Sequence, residues 1–332
     1  MADARKPGGF RYGGFRYARI EYTGDLMCEQ FTDQPLKQKA PTMTSTLRLT
    51  LLAIVSSTVC CSLESVALAQ QDEAIRLIVR GDDIGSCHTA NVACIRCYRE
   101  GIVRSLEVMV PAPWFNEAVK MLCENPQLDV GVHLTLTSEW ENCKWGPLTE
   151  APSLVDSQGH FYPMTSQRKD FPPNTGFLHA KPKLEEVERE LRAQIELAKA
   201  KLPNVTHLSC HMGTASCTPE LSALVAKLAD EYELPLRVPN ARSPGRFSRP
   251  EMTPEQKAAN LVKLLENLKP GLWLIVEHPG LDTPEMRAIG HKGYENVAAD
   301  REGVTQAFTS DKVKEVIRRR GIQLVSYGDV LK

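Results

Sequence analysis

The chain has 332 residues, and its 40 Lys and Arg residues are nearly balanced by 41 Asp and Glu residues, so the formal net charge is −1 at pH 7. Without a basic excess, nucleic acid is excluded as an expected partner. The length fits one large domain or two ordinary ones, and the hydrophobic content of 42% is ordinary for a protein that buries a core.

The first 69 residues differ in character from the rest. Residues 1–42 are interpreted as a disordered extension or as sequence upstream of the true start codon. Residues 43–69 have the layout of a secretory signal peptide, because Arg48 opens an apolar segment and Ala67-Leu68-Ala69 supplies a small-x-small cleavage pattern. The apolar segment is too short and too rich in Ser, Thr and Cys for a stable membrane anchor. We therefore expect an exported protein, periplasmic or secreted, that is cleaved near Ala69.

Residues 70–332 are interpreted as a single domain in which strands and helices alternate. An apolar run rich in β-branched residues begins at Ile75 and stops at Gly81, which favours a buried strand over a helix. The alternation that follows is typical of a parallel sheet in an α/β protein. We predict six further strands, at 102–110, 128–136, 206–211, 234–238, 271–278 and 322–327, and helices at 89–100, 114–125, 184–201, 219–232, 254–268 and 310–320. Residues 281–303, between the last two of these helices, are predicted to form a polar loop.

An insertion at about 138–183 interrupts this alternation. It is rich in Pro, Ser and Gly and contains scattered aromatic residues, which suits a lid or a binding loop. The aromatic side chains could stack on a sugar face, or they could pack the loop against itself. The helix at 184–201 that follows is amphipathic, and its charged side is interpreted as a solvated face.

Polar residues recur where the predicted strands end. Alone, the Asp82–Asp83 pair could be one solvated carboxylate and one helix cap, and a single histidine is more often structural than a ligand. The carboxyl ends of parallel strands meet at one edge of a sheet, however, so residues that recur there are expected to converge. The residues in question are Asp82, Asp83, His133, His211, Arg237 and His278.

This combination of side chains suits a metal-assisted hydrolase. Two imidazoles and one carboxylate can hold a divalent ion and leave coordination positions open for water and substrate. A second carboxylate can then act as a general base, and a further imidazole can protonate a leaving group or stabilise an oxyanion. Hydrolysis of an amide or ester fits this set, and phosphoester cleavage is compatible with it.

Several motifs resemble those of the YdjC-like carbohydrate deacetylase family, which includes the chitooligosaccharide (diacetylchitobiose) deacetylases. The family's Asn-Ala-Asp-Asp-Phe-Gly is similar to Arg80-Gly81-Asp82-Asp83-Ile84-Gly85. Its Gly-x-His-Leu and His-x-Asp-Ser-His motifs are similar to Gly131-Val132-His133-Leu134 and His207-Leu208-Ser209-Cys210-His211. Leu236-Arg237, His278-Pro279-Gly280 and Ser326-Tyr327-Gly328-Asp329-Val330 also correspond. The resemblance covers residues 75–332 apart from the insertion.

The resemblance implies a fold and a set of roles. The fold would be a distorted (β/α) barrel, in line with about seven parallel strands. The metal ligands would be Asp83, His133 and His211; Asp82 would be the general base, and His278 the acid or an oxyanion partner. Arg237 would position the substrate or a catalytic carboxylate. The cofactor would be a divalent metal ion, Mg²⁺ by resemblance, although the histidines also suit Zn²⁺.

Departures from the family motifs leave three functions open. Arg80 replaces the leading Asn, and Ser209 and Cys210 replace the Asp and Ser of the second histidine motif. The leading hypothesis is a deacetylase acting on an N-acetylated sugar. The alternatives are a related metallohydrolase for another ester bond and a catalytically silent, secreted sugar-binding protein. Homo-oligomerisation stays open as well.

Overall fold

The computed structural model describes residues 74–331, so the predicted N-terminal extension and signal peptide lie outside the described residues. The strands are β1 (Ile75–Ile84), β2 (Ser105–Val108), β3 (Asp129–Leu134), β4 (Val205–Cys210), β5 (Gly271–Glu277) and β6 (Gln323–Val325). The helices are α1 (His88–Arg99), α2 (Phe115–Cys123), α3 (Leu184–Lys201), α4 (Pro219–Tyr232), α5 (Pro254–Glu266), α6 (Pro284–Ala288), α7 (Val297–Thr309), α8 (Asp311–Arg320) and α9 (Tyr327–Val330). Within residues 74–331, no helix is both long and apolar enough to cross a membrane.

The strands form one parallel sheet with the order β4-β3-β2-β1-β5. The short strand β6 pairs in parallel with residues 76–78 of β1. The predicted α/β architecture is therefore confirmed. Because all the strands run in the same direction, their carboxyl ends lie at one edge of the sheet.

The prediction of seven strands in a barrel is not met by the described residues, which form six strands. The segment 234–238, predicted as a strand, is irregular, and its bond to the sheet runs from the Leu208 N–H to the Pro235 carbonyl at 3.1 Å. Pro235 and Pro239 cannot donate a backbone hydrogen bond, so this sequence cannot form a regular ladder beside β4. In the described part of the chain, β4 and β5 are accordingly not joined into a closed barrel.

Residues 281–303, predicted as a polar loop, contain helical structure. Helix α6 and the start of α7 lie in this segment. In α7, Val297, Val304 and Phe308 are buried at helical spacing, and the helix packs against α5 and α1. The charged residues between these apolar positions conceal the periodicity in the sequence.

The insertion after β3 packs against itself and the core. Trp140, Trp145, Phe161 and Phe177 are all almost fully buried, so these four rings are not available for stacking on a sugar. Between the two alternatives left open by the sequence, the structure supports self-packing for these residues.

Helix α3 anchors the insertion through buried carboxylates. Glu190 accepts hydrogen bonds from the backbone N–H groups of Leu148 and Thr149, at 3.1 and 3.0 Å, and Glu186 accepts one from Ser153 at 2.8 Å. Part of the charged side of this helix therefore binds loop backbone, which corrects its interpretation as a solvated face. Buried N–H groups of an irregular loop need such partners.

Candidate metal centre and neighbouring catalytic residues

An irregularity at the end of β1 brings two adjacent carboxylates to the same site. Gly81 of β1 pairs with Leu106 of β2, and Ile84 pairs with Val108. These two pairs are three residues apart on β1 but only two apart on β2, so β1 contains a β-bulge. In a regular strand, Asp82 and Asp83 would point to opposite faces. Here Asp83 has φ of 71°, in the left-handed region, and both carboxylates lie within 4 Å of the His133 Nε2 atom.

Asp83, His133 and His211 form a compact set of possible metal ligands. The Asp83 Oδ1 atom lies 3.5 Å from His133 Nε2 and 3.2 Å from His211 Nδ1, and the three donor atoms all lie within 4.8 Å of one another. Ligands about 2.0–2.2 Å from a shared divalent ion have similar mutual separations. Both Asp83 Oδ1 and His211 Nδ1 are buried without a hydrogen-bond partner, which a metal ion would supply. The residues therefore fit a divalent cation.

Each histidine is oriented by a second partner. The His211 Nε2 atom lies 2.9 Å from Glu139 Oε2, and the His133 Nδ1 atom lies 2.7 Å from Ser209 Oγ. Such contacts fix the ring and leave the other nitrogen, His211 Nδ1 or His133 Nε2, facing Asp83. Glu139 was not predicted from the sequence, although it is a charged residue in an aromatic stretch shortly after His133.

The two imidazoles differ in their proton affinity in the metal-free protein. Burial lowers the pKa of His133 to about 4, so this ring is neutral at neutral pH. Burial acts in the same direction on His211, but the charges of Glu139 and Asp83 outweigh it and raise its pKa to about 10. A cation bound at Asp83 would therefore displace a proton from His211.

Arg301 on α7 holds the other oxygen of Asp83. Its Nη2 donates to Asp83 Oδ2 at 2.8 Å, both side chains are buried, and the guanidinium lies 4.9 Å from the centre of the Trp140 ring. Burial alone would raise the pKa of Asp83, but Arg301 and neighbouring histidines hold it well below its ordinary value. The carboxylate is thus ionised with Oδ1 free for a cation. Arg301 was missed because its helix was predicted as a loop.

Asp82 lies beside the three possible ligands and is held by a different arginine. Arg80 Nε donates to Asp82 Oδ1 at 2.7 Å, and Arg80 Nη2 donates to Asp82 Oδ2 at 2.9 Å. Asp82 Oδ2 lies 3.8 Å from His133 Nε2. A buried carboxylate next to a metal site, but separate from its ligands, can accept a proton from water.

The two remaining predicted residues have different surroundings. His278 directly follows β5, whose register with β1 pairs Gly81 with Glu277, so His278 lies at the same sheet edge as Asp82. Burial lowers the pKa of His278 against the opposing charge of Asp83. Arg237 is exposed and irregular, and the partners found for Asp82 and Asp83 are Arg80 and Arg301 instead. The predicted substrate contact of Arg237 stays a prediction.

Comparisons with known proteins identify relatives over most of the described region. The profile of the family described as YdjC-like protein matches residues 76–319. A carbohydrate deacetylase from Thermus thermophilus is 36% identical over 235 residues, which is 64% of this chain and 80% of that protein. A carbohydrate deacetylase from Brevibacillus brevis is 28% identical over 276 residues, which is 77% of this chain and 100% of that protein.

A solved structure is similar in fold. It is a protein from Enterococcus faecalis V583 with a provisional assignment to cellobiose-phosphate cleavage. The TM-score is 0.60 at 24% identity, and the alignment covers 77% of this chain and 98% of the other. At this identity the similarity supports the α/β fold alone.

Proposed function

The chain belongs to the YdjC-like protein family, and we propose that it is a metal-dependent hydrolase that removes the acetyl group from an N-acetylated amino sugar or oligosaccharide. The observation that carries this proposal is the convergence of Asp83, His133 and His211 beside the separate carboxylate of Asp82. The names of the relatives support deacetylation of a carbohydrate as the reaction class.

The proposed cofactor is one divalent ion held by Asp83 Oδ1, His133 Nε2 and His211 Nδ1. When bound, such an ion polarises the acetyl carbonyl and activates water. Mg²⁺ follows from the family resemblance, whereas two imidazoles among three ligands suit Zn²⁺ by their chemistry. Acetate release measured with each metal ion separately distinguishes the two.

The protein's own side chains would move the protons. Asp82 accepts a proton from the attacking water, whose oxygen forms a bond to the acetyl carbon. As the carbon–nitrogen bond breaks, the proton taken up by Asp82 passes to the leaving nitrogen, with His278 relaying it or donating a hydrogen bond to the carbonyl oxygen. The products are acetate and a free amine.

Acetate release from a panel of N-acetylated sugars tests this proposal. The full chain is assayed with and without Mg²⁺, Zn²⁺, Mn²⁺ or Co²⁺, beside the Asp82→Asn and His133→Ala variants. His179→Ala is a matched control, because His179 is an exposed histidine on the insertion. We expect metal-dependent acetate release that both site variants lose and the control keeps.

Other outcomes would favour the alternatives. If the protein binds metal but releases acetate or phosphate only from O-acetylated or phosphorylated sugars, it is a related metallohydrolase. Sugar binding without bound metal and without any product would identify a catalytically silent binding protein. Either result would overturn the N-deacetylase proposal.

A further inference from the structure

A second buried polar cluster lies next to the metal site. Glu107 on β2 is fully buried, and so is His207 on β4, while Ser209 on β4 is 4% exposed. Since β3 lies between β2 and β4, the Glu107 side chain must cross it, and it does so at Gly131. A Cβ atom at Gly131 would collide with the Glu107 carboxylate and the His207 ring, so this glycine is what allows the contact.

Glu107 fixes the direction of a chain of hydrogen bonds. Burial alone would raise the pKa of Glu107, but His207 and Arg80 lower it, so Glu107 is an ionised carboxylate that can only accept. It accepts from the Ser209 hydroxyl through Oε2, and its Oε1 lies 2.5 Å from His207 Nε2. With its hydrogen donated to Glu107, Ser209 Oγ is left to accept from His133 Nδ1–H.

This direction determines which nitrogen of His133 is available to a metal. A proton on Nδ1 leaves the lone pair on Nε2, and Nε2 is the atom that faces Asp83 Oδ1 at 3.5 Å. If the Ser209 hydroxyl donated to Nδ1 instead, the proton would occupy Nε2 and oppose metal binding. The carboxylate of Glu107 therefore selects the ligand-competent tautomer two hydrogen bonds away.

Arg80 connects this series of hydrogen bonds to Asp82. Its Nε lies 3.7 Å from Glu107 Oε1, while Nε and Nη2 bind the two oxygens of Asp82. Its third nitrogen, Nη1, donates to the Tyr327 hydroxyl at 3.1 Å, and the Tyr327 ring stacks on His207 with 3.8 Å between ring centres. One partly buried guanidinium thus balances both carboxylates.

We propose that Glu107 is a positioning residue that acts through the Ser209 hydroxyl to set the orientation and tautomer of His133, and that Arg80 joins this relay to Asp82. The inference deepens the proposed function and rests on it, since it takes His133 as a metal ligand. Partners of metal-bound histidines change metal affinity about 10- to 100-fold when they are removed.

The test measures Zn²⁺ affinity of the full chain by competition with a chromophoric chelator. We expect Ser209→Ala to weaken Zn²⁺ binding about 10- to 100-fold, and Glu107→Gln to weaken it to a smaller extent. In the Ser209→Ala background, Glu107→Gln should add little, because the path between Glu107 and His133 is already broken. Glu186→Gln is the matched control: it changes another buried carboxylate, which binds loop backbone and not a histidine.

A second readout does not depend on metal. In the metal-free protein, ¹⁵N shifts of the His133 ring should show the proton on Nδ1 in the wild type and a shift toward Nε2 in Glu107→Gln. A merely structural role would lower thermal stability without moving this tautomer. If the wild type binds neither Zn²⁺ nor Mg²⁺, the metal site itself fails, whereas the relay is still judged by the tautomer. The relay would be overturned if neither variant changed the Zn²⁺ affinity or the His133 tautomer. It would also be overturned if the losses of Zn²⁺ affinity from Ser209→Ala and Glu107→Gln were fully additive.

Discussion

Arg80 binds Asp82 with two parallel hydrogen bonds, from Nε to Oδ1 at 2.7 Å and from Nη2 to Oδ2 at 2.9 Å. The two residues are two positions apart on β1, so their side chains leave the strand on the same face. This bidentate contact fixes the plane of the carboxylate and satisfies much of its hydrogen-bonding capacity. It also keeps the proposed base, Asp82, apart from the neighbouring Asp83, which is a proposed metal ligand.

We expect Asp82→Asn to lower kcat about 10²- to 10⁴-fold, which is the usual contribution of a general base, while Zn²⁺ affinity stays within a few-fold of the wild type. The reason is that Asp82 lies outside the set of three proposed ligands. Acetate release and chelator competition on the same protein preparation measure the two effects. An Asn variant with wild-type kcat would remove Asp82 from the mechanism.

Arg80→Lys should lower kcat about tenfold or more, although it keeps the positive charge. Lysine is a point charge and cannot reproduce the planar fork that orients Asp82. The comparison with Arg80→Gln separates the two contributions, since glutamine loses both charge and fork. Equal kcat values for Arg80→Lys and the wild type would show that charge alone is sufficient.

Glu139→Gln should weaken Zn²⁺ binding about 10- to 100-fold, because Glu139 holds the Nε2 side of His211 at 2.9 Å and so directs Nδ1 toward Asp83. Glu141→Gln is a close control, since Glu141 is an exposed residue of the same loop. Chelator competition measures both variants. The expectation fails if the two substitutions have the same effect.

Arg301→Met should lower the free energy of unfolding by about 3–5 kcal/mol, because it removes the arginine that donates to the buried Oδ2 atom of Asp83. Urea denaturation of the metal-free protein measures this change. Arg237→Met is the control, because Arg237 is exposed and surface substitutions usually stay within about 0.5 kcal/mol. An increase in KM for Arg237→Met would separately support its predicted substrate contact. Similar stability losses in both variants would contradict the role given to Arg301.

The positions of Asp83, His133 and His211 could be predicted because they follow from strand direction alone. Each lies at or just after the end of a parallel strand, and such ends share one edge of the sheet. Strand direction does not predict contacts between side chains that reach across several strands or helices. Glu107 reaches β4 across Gly131, and no local pattern in the sequence reports that crossing.

The failures have identifiable physical causes. The segment at 234–238 has the composition of a strand, but Pro235 within it and Pro239 directly after it remove backbone donors that a ladder needs. Helix α7 has few strongly apolar positions, so its periodicity was weak and Arg301 was overlooked. The pair Arg80–Asp82 could have been predicted from the two-residue period of a strand, since oppositely charged side chains on one face are expected to meet.

Glu277 should make the protein less stable as pH rises from about 4.5 to 7. Burial and the nearby charge of Asp300 raise the pKa of Glu277 to about 7, whereas the ordinary value is 4.5. Between these values the native state binds more protons than the unfolded state, so the free energy of unfolding falls with increasing pH and the loss is complete above pH 7.

Glu277→Gln removes this titration. We therefore expect the variant to exceed the wild type by about 1–3 kcal/mol at pH 8 and to match it near pH 4.5. Urea denaturation at both pH values measures the difference, with the exposed Glu251→Gln as control. Parallel stability profiles for wild type and Glu277→Gln would show that Glu277 titrates alike in the folded and unfolded chain.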